Sequence, residues 1–455
     1  MSASDDITPR DSTFYGLITV VRRTNCIDDK RDEVFILLKF PQRGRLWFHR
    51  DFKRLWLSDT VSQFGNQFTN LALPLLAVIS LKVNAFELGL LVALQTVAFP
   101  ILGLFVGVIA DRTRKRPMMI ICNFGRMITL ASIPIEFLLS TLTIYQLYVV
   151  AAVNGIFTVF FEISYQSYLP ILVDRGDLLE GNAKLQTSAS GAQVVGPTAA
   201  GFIYEIIGGA LTIAVDAIGY LASAIALLSI RKPEPTMTPE HTAERNFVAE
   251  MKEGLQIVFN SDVIEKMMFA TATFNLGSSI FQAILVIFLV KMLNFTPEAI
   301  GILGTITAVG FLFGTVVAPK FTSRVGLGHS IAISAFVGII AMLQPLALYG
   351  FAYPVMGTIG FISGLTLPIY NINTVSLRQS IVPDRLQGRM NATVRTINWG
   401  TLPAGSFIGG ILGTYIGIVP TILVGGALSG ASVIWIIFSE VIRLKGMPRF
   451  EEPSD

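Results

Sequence analysis

The sequence predicts an all-α integral membrane protein with twelve transmembrane helices in two six-helix parallel repeats. Three observations support this fold class. Charged residues are scarce along the chain, long apolar stretches recur twelve times, and the second half repeats glycine and polar positions of the first.

Composition excludes a soluble globular protein. Of the 455 residues, 52% are hydrophobic and 14% are charged, whereas about 25% of the residues of a soluble domain carry charge. A chain with so few charges cannot cover a water-facing surface of its size, so the apolar excess must face lipid. The 40 glycines suit close helix packing inside a membrane.

Residues that carry catalytic or metal chemistry are sparse. The cysteines Cys26 and Cys122 are too few for a disulfide framework or a metal site, and the sequence contains no CxxC, HExxH or Walker-type phosphate loop. The three histidines fall in connecting segments, and no catalytic Ser/His or paired-Asp set occurs. We therefore expect no cofactor, no metal, no enzymatic activity and no nucleic acid partner.

Twelve stretches are long enough to cross a bilayer, which requires about 20 apolar residues in a helix. They lie near residues 55–81, 86–110, 117–140, 144–168, 184–204, 208–230, 264–290, 298–319, 328–349, 352–377, 394–415 and 418–442.

Basic residues in short loops predict the orientation, because cytoplasmic loops carry the excess of Lys and Arg. With twelve crossings these clusters fall on one side, while the opposite loops contain only Lys82 and Lys291. The clusters are Arg50, Lys53 and Arg54; Arg112, Arg114, Lys115 and Arg116; Arg175 and Lys184; Lys320 and Arg324; Arg378, Arg385 and Arg389; and Arg443, Lys445 and Arg449. We expect a multi-pass protein of the plasma (inner) membrane with both termini in the cytoplasm.

The chain divides into two halves and three cytoplasmic segments. These are a disordered extension at 1–45, a six-helix half at 46–230, a linker at 231–262, a second six-helix half at 263–445 and a tail at 446–455. Within the linker, apolar residues recur at helical spacing over Phe247–Phe259, which predicts an amphipathic helix along the membrane surface.

The two halves are related in sequence. Asn182-Ala183, Gly191, Gly196 and Gly201 have counterparts at one constant offset, Asn391-Ala392, Gly400, Gly405 and Gly410. This agreement at the same point of each half indicates parallel repeats, with a substrate bound between them near the bilayer midplane.

The loop after the second span contains a motif that topology alone does not require. Gly107 and Asp111-Arg112 are followed by Arg114 and Arg116. The loop resembles the signature of the major facilitator superfamily, Gly-x-x-x-Asp-Arg/Lys-x-Gly-Arg-Arg/Lys, although Arg114 replaces its second glycine. The resemblance implies the fold of that family. It also implies a cytoplasmic latch that consists of Asp111, Arg112 and Arg116, with Gly107 making the close contact.

The fifth span carries a second motif, formed by Gly191, Gly196, Pro197 and Gly201. Glycine allows tight helix packing and proline kinks a helix. The pattern resembles the antiporter signature of exporters in the same superfamily, although Ala200 stands at the position of one terminal glycine. A glycine-rich packing helix without directional meaning is the alternative.

Three further stretches narrow the resemblance to the group of macrolide-efflux and enterobactin-exporter-like proteins. They are Arg50-Asp51-Phe52 with Ser62-Gln63-Phe64-Gly65, Glu253-Gly254-Leu255, and Val382-Pro383-Asp384-Arg385. The resemblance covers about residues 46–445 and implies export.

Polar residues inside the spans are candidates for a substrate cavity, because in lipid they must face protein or water. In the superfamily, the first, fourth, seventh and tenth spans line the cavity. The candidates on these spans are Asn66, Asn70, Asn154, Tyr165, Asn275, Gln282 and Asn371. Hydrogen bonds that only hold helices together are the alternative for each amide.

Ionisable residues inside spans are a stronger signal, because each costs about 2.5–3.5 kcal/mol at a helix centre. They are Asp59, Arg126, Glu136, Glu162 and Asp216, all in the first half. Carboxylates in a low-dielectric cavity can bind and release protons. Glu162 and Asp216 are the leading proton-coupling candidates and Glu136 is the third, whereas Asp59 and Arg126 suit structural or gating roles.

These observations together predict a monomeric secondary transporter that exports a small amphipathic molecule, such as a drug, an antibiotic or a siderophore-like metabolite, by proton-coupled alternating access. Its partners are the substrate, protons and the lipid bilayer. The alternatives are an importer or uniporter of a small solute, and a membrane sensor that keeps the fold without transport.

Overall fold

The computed structural model describes residues 45–234 and 247–447. The predicted N-terminal extension up to residue 44, the linker segment 235–246 and the tail from residue 448 lie outside the described residues. Within the described ranges every regular element is helical. The first half contains α1 (Arg50–Ile79), α2 (Ala85–Thr96), α3 (Ala98–Arg112), α4 (Lys115–Leu138), α5 (Ile144–Leu172), α6 (Leu178–Ile207) and α7 (Gly209–Leu228).

The second part of the chain is also helical. It contains α8 (Phe247–Phe259), α9 (Asp262–Ile287), α10 (Pro297–Val325), α11 (Leu327–Phe336), α12 (Ala352–Ile381), α13 (Asp384–Tyr415), α14 (Ile418–Ala431) and α15 (Val433–Ile437). A π-helical turn, Phe288–Met292, extends α9, and a 3-10 segment, Val337–Tyr349, extends α11. Shorter 3-10 turns lie at Arg45–Phe48, Arg175–Asp177 and Glu440–Arg443.

Nine helical segments of the described chain are long and apolar enough to cross a membrane. The predicted spans that are not among these nine correspond to α1, α6 and α13, which have 30, 30 and 32 residues. These three are long enough but carry more polar side chains, and each packs against several other helices rather than facing lipid all round.

The second predicted span is broken into two helices. α2 ends at Thr96 and α3 begins at Ala98. Pro100 explains the break, because a proline lacks the N–H that would bond to the carbonyl four residues earlier and its ring clashes with that carbonyl. The two helices on either side of the break both contact α13 of the other half.

The same pattern of helix neighbours occurs in both halves. In the first half, α1 packs against α6 and α7, and α4 packs against α5 and α7. In the second half, α9 packs against α13 and α14, and the segment Val337–Tyr349 packs against α12 and α14. Between the halves, α6 packs against α10 and α2 packs against α13. The linker helix α8 packs on α13 and α9 of the second half.

The hydrophobic core differs between the two ends of the bundle. We call the end that carries the turn between α3 and α4 the basic end, and the end that carries the turn between α1 and α2 the far end. One large cluster at the far end joins side chains of both halves, among them Leu76, Ile284 and Ile422. Toward the basic end, the clusters around Phe52 and around Ile331 each belong to one half. Among the residues that the structure describes, a core that both halves share therefore lies only at the far end.

Candidate functional site

Glycines seal the far end by letting backbones of the two halves touch. A Cβ at Gly89 of α2 would collide with the backbone of Gly410 in α13, and a Cβ at Gly201 of α6 would collide with the backbone of Pro297 at the start of α10. Gly301 faces Gly201 in the same contact. These positions require glycine because any side chain would separate the halves.

Hydrogen bonds across the boundary reinforce this seal. The hydroxyls of Thr198 and Thr305 lie 2.7 Å apart, and Thr305 also donates to the Val194 carbonyl at 2.6 Å. On the other side of the bundle, Lys291 Nζ donates to the carbonyl of Val83 at 2.8 Å. Both sides of the boundary are therefore held together at the far end.

The predicted antiporter-type helix, α6, takes part in the seal through its second half. Gly196 packs against the side chain of Gln67 in α1, and the Pro197 carbonyl lies against Gly301. By contrast, no described atom lies within 4 Å of the position that a Cβ would take at Gly191. Within this motif, Gly196 and Gly201, nearer the far end, are therefore tightly packed, whereas Gly191, nearer the basic end, has no close neighbour among the described residues.

The predicted latch lies at the basic end, where the halves do not share a core. No described atom outside the neighbouring turns of its own helix lies within 4 Å of the position that a Cβ would take at Gly107. Asp111 and Arg112 end α3, and their side chains lie outside the described part of the structure. Arg116 instead donates to the carbonyls of Leu227 at 2.9 Å and Leu228 at 2.7 Å. It thereby caps the C-terminus of α7 within its own half.

Charges inside the first half converge on Arg126 of α4. Its guanidinium is 1% exposed and lies between the rings of Phe161 and Tyr220, 4.3 and 4.2 Å from their centroids. It donates to the side chain of Asn123, while its Nε has no described hydrogen-bond partner. Cation–π contacts stabilise a desolvated guanidinium.

Three carboxylates lie within electrostatic range of this guanidinium. The charge of Arg126 interacts with Asp59 of α1, Glu162 of α5 and Asp216 of α7. None of them forms a direct ion pair with Arg126 among the described residues. The charge of one buried cation therefore acts on three acids from three helices without a direct ion pair.

Asp216 is the most enclosed of the three acids. It is 1% exposed, and Thr69 of α1 donates to its Oδ2. Its Oδ1 lies where a Cβ of residue 65 would stand and has no described partner. Gly65 is thus the residue that lets a carboxyl group enter the contact between α1 and α7.

Asp59 and Glu162 differ in their exposure and in the residues with which they interact. Asp59 is 2% exposed, accepts a hydrogen bond from Gln63 at 3.3 Å and interacts with the Tyr165 hydroxyl. Glu162 is partly exposed, and its charge also interacts with Arg395 of α13 in the other half. Glu162 is therefore the acid of this cluster that couples to the second half.

A hydroxyl network connects the acid cluster to the helices that carry it. Ser223 of α7 lies 2.6 Å from Ser58 and 3.0 Å from Ser62, and Asn123 donates to it at 2.8 Å. Serines and amides that bond across helices hold α1, α4 and α7 at fixed spacing.

The third carrier candidate, Glu136, lies apart from this cluster. It is partly exposed and stands two residues before α4 ends at Leu138, at the far end. The structure therefore brings Glu162 and Asp216 together around Arg126 but leaves Glu136 outside.

The predicted cavity residues fall into two groups. Four are partly exposed: Asn66 accepts from the Tyr220 hydroxyl, Asn154 has a buried Oδ1 without a described partner, Asn275 donates to the Asn398 carbonyl at 3.0 Å, and Tyr165 contacts Asp59. Three are exposed in the described structure: Asn70, Gln282 and Asn371.

Sequence reasoning missed a cluster at the boundary between the halves. The rings of Phe99 in α3 and Trp399 in α13 lie 4.1 Å apart, and Arg395 lies over both. Arg395 and Trp399 are four residues apart on one helix face, which is the signal that could have indicated them. No group of three potential metal ligands occurs in the described part of the chain.

Residues 55–400 match the sequence profile of the Major Facilitator Superfamily, which covers most of the helical chain. The chain belongs to this superfamily. It is a transporter with the all-helical fold of that family, embedded in a membrane through several passes. Its substrate is therefore expected to be a small molecule.

Individual members of the superfamily share low sequence identity with this transporter. Macrolide efflux protein A of Streptococcus pyogenes is 21% identical over 83% of this chain and 93% of its own length. The enterobactin exporter of Citrobacter koseri is 20% identical over 89% of this chain and 94% of its own. A solved D-xylose–proton symporter superposes with a TM-score of 0.65 at 14% identity, covering 88% of this chain and 100% of that one. The last likeness concerns the fold alone.

Proposed function

We propose that this transporter is a proton-coupled exporter of a small amphipathic molecule. The observation that carries the proposal is the placement of two buried acids, Asp59 and Asp216, and the partly exposed Glu162 within electrostatic range of the buried Arg126. They lie beside a boundary at which the described parts of the two halves share a core at the far end. The relatives named for macrolide efflux and for enterobactin export support the outward direction.

The proposed topology has twelve spans in two parallel six-helix repeats, at 46–230 and 263–445. The linker at 231–262 and the terminal segments 1–45 and 446–455 lie in the cytoplasm, and the protein works as a monomer in the plasma (inner) membrane. The repeated helix pairing supports this arrangement. With the basic end in the cytoplasm, the end at which the described halves have separate cores faces inward.

In the proposed cycle, Glu162 or Asp216 carries the proton, with Glu136 as the third candidate. A proton on one carboxyl removes one of the charges that share Arg126, so the cation becomes available to the remaining acids. Glu162 transmits this change to the other half through Arg395. When the basic end closes, the loop of Gly107, Asp111 and Arg112 forms the latch.

Efflux from loaded proteoliposomes tests this function. Vesicles are loaded with a radiolabelled macrolide or a catecholate siderophore, and release is measured with and without an imposed pH gradient. We expect gradient-driven release that is abolished by Glu162→Gln or Asp216→Asn and unchanged by Glu205→Gln, an exposed acid at the far end. Release that does not depend on the gradient would contradict proton coupling, and gradient-driven accumulation on the opposite side would favour uptake.

A further inference from the structure

An apolar cleft lies between the broken second span and α13. Its volume is about 560 Å³, and its walls come from both halves. Leu94, Val97 and Ile101 line one side, and Pro403 and Phe407 line the other. A cavity of this size with apolar walls accommodates the body of a drug-sized molecule.

A cation with aromatic support stands beside this cleft. Arg395 and Trp399 directly precede Thr396 and Gly400, two residues of α13 that line the cleft, so their side chains lie on the helix face next to the lining face. The Arg395 guanidinium lies 4.5 Å from the Phe99 centroid and 4.6 Å from the Trp399 centroid. Stacking on ring faces leaves the in-plane N–H donors of an arginine free for a bidentate acidic group.

The accessible charge at this place is positive. Arg395 is exposed and has no hydrogen bond or direct ion pair within the described ranges. Asp59 and Asp216 are almost fully buried, and Glu162 is only partly exposed. A ligand that enters the cleft therefore meets an exposed guanidinium, and the acid whose charge acts on that guanidinium is the less accessible Glu162.

We propose that this cleft binds an amphipathic organic anion, with its apolar or aromatic body between α2–α3 and α13 and its acidic group on Arg395. The inference depends on the proposed function in one respect: it takes this bound anion to be the substrate that the transporter exports. Because the site draws residues from both halves, its walls separate when the halves move, so the affinity changes with the conformational state. A change of affinity between states is what alternating access requires.

Equilibrium binding to the full transporter in lipid nanodiscs tests the site. The probes are radiolabelled 2-naphthoate and the size-matched cation 2-naphthylmethylammonium, with 2-naphthamide as the neutral control. We expect naphthoate to bind more tightly than the cation. We expect Arg395→Gln to weaken naphthoate binding by about tenfold or more, since a hydrogen bond to a charged group contributes about 1.5–3 kcal/mol. Arg395→Lys should retain part of the affinity, because lysine keeps the positive charge but cannot form the bidentate hydrogen bonds of a guanidinium.

Two further variants separate the site from general effects. Arg324→Gln, at an exposed arginine near the basic end of α10, should leave naphthoate binding unchanged. Ala404→Phe fills the cleft and should weaken naphthoate and naphthamide alike. Size-exclusion profiles identify any variant that does not fold. Equal binding of anion and cation, or unchanged naphthoate affinity in Arg395→Gln, would overturn the proposal.

The binding assay requires neither a gradient nor net flux. Arg395-dependent binding without gradient-driven efflux of any ligand would leave this site in place and contradict the proposed export. Gradient-driven macrolide efflux by the unmodified transporter, together with no preference for naphthoate over the cation, would support export and eliminate this site.

Discussion

Adding a single methyl group at Gly201 tests whether the contact between α6 and α10 keeps the far end closed. The Cβ of an alanine at this position would lie 3.1 Å from the α carbons of Glu298 and Gly301, and 2.5 Å from the carbonyl oxygen of Pro297. Carbon atoms in contact normally lie about 3.5–4.0 Å apart. Because all three obstacles are backbone atoms, no side chain can rotate away, and the helices must separate.

The expected magnitude follows from the cost of overpacking. Extra methyl groups in well-packed interiors cost about 1–3 kcal/mol, and separation of the helices also lengthens the hydrogen bond between Thr198 and Thr305. This cost applies only to the conformation in which the far end is closed. At about tenfold per 1.4 kcal/mol, the ratio of open to closed far end should rise between about fivefold and about 150-fold in Gly201→Ala.

Distances between spin labels at the far end measure this ratio. Labels on cysteines introduced at the exposed positions Glu205 and Tyr353, in a background without native cysteines, report the separation of the two halves by double electron–electron resonance. Gly191→Ala in the same helix is the matched control, because open space surrounds that position. An unchanged distance distribution in Gly201→Ala, or an equal shift in Gly191→Ala, would refute the reasoning.

Three other substitutions probe the remaining contacts. Arg126→Gln should destabilise the protein by about 2 kcal/mol or more, because it removes the desolvated cation–π contacts with Phe161 and Tyr220. Thermal unfolding in detergent measures the loss, and Arg324→Gln at an exposed arginine should cost less than about 0.5 kcal/mol. Lys291→Met removes the hydrogen bond to the Val83 carbonyl of the other half. A hydrogen bond to a charged group contributes about 1.5–3 kcal/mol, so the population with an open far end should rise about tenfold in the same spin-label assay. An unchanged distance distribution would show that this hydrogen bond does not hold the far end closed. Thr69→Val leaves both oxygens of Asp216 without a described donor and should cost about 1–3 kcal/mol of stability, and an unchanged melting temperature would show that this bond is replaced.

The fold followed from the sequence because the bilayer restricts the choice of structure. Backbone groups in lipid must bond within their own segment, so apolar stretches of the required length form helices. The superfamily resemblance, which rested on the loop after the second span and on the fifth span, is confirmed by the family match. Hydropathy was least informative for α1, α6 and α13, because these helices pack against several others and carry polar and small residues instead of a continuous apolar surface.

The candidate site was only partly predictable. Charges inside apolar stretches are costly, so Glu162 and Asp216 were recognisable without a structure. Their convergence on Arg126 was not, because it depends on how α4, α5 and α7 pack. Arg395 was overlooked because an arginine near the start of a predicted span also serves to orient the helix.

By itself, the sequence determined the helical membrane fold, the superfamily and the presence of costly charges in the first half. Each of these depends on local properties, namely hydropathy, motif spacing and residue type. Only the tertiary structure decided that the halves share a core at the far end, that Glu136 stands apart from the other acids, and that Arg395 lies across from Glu162. Those features depend on contacts between residues hundreds of positions apart, and no local pattern records which helices will meet.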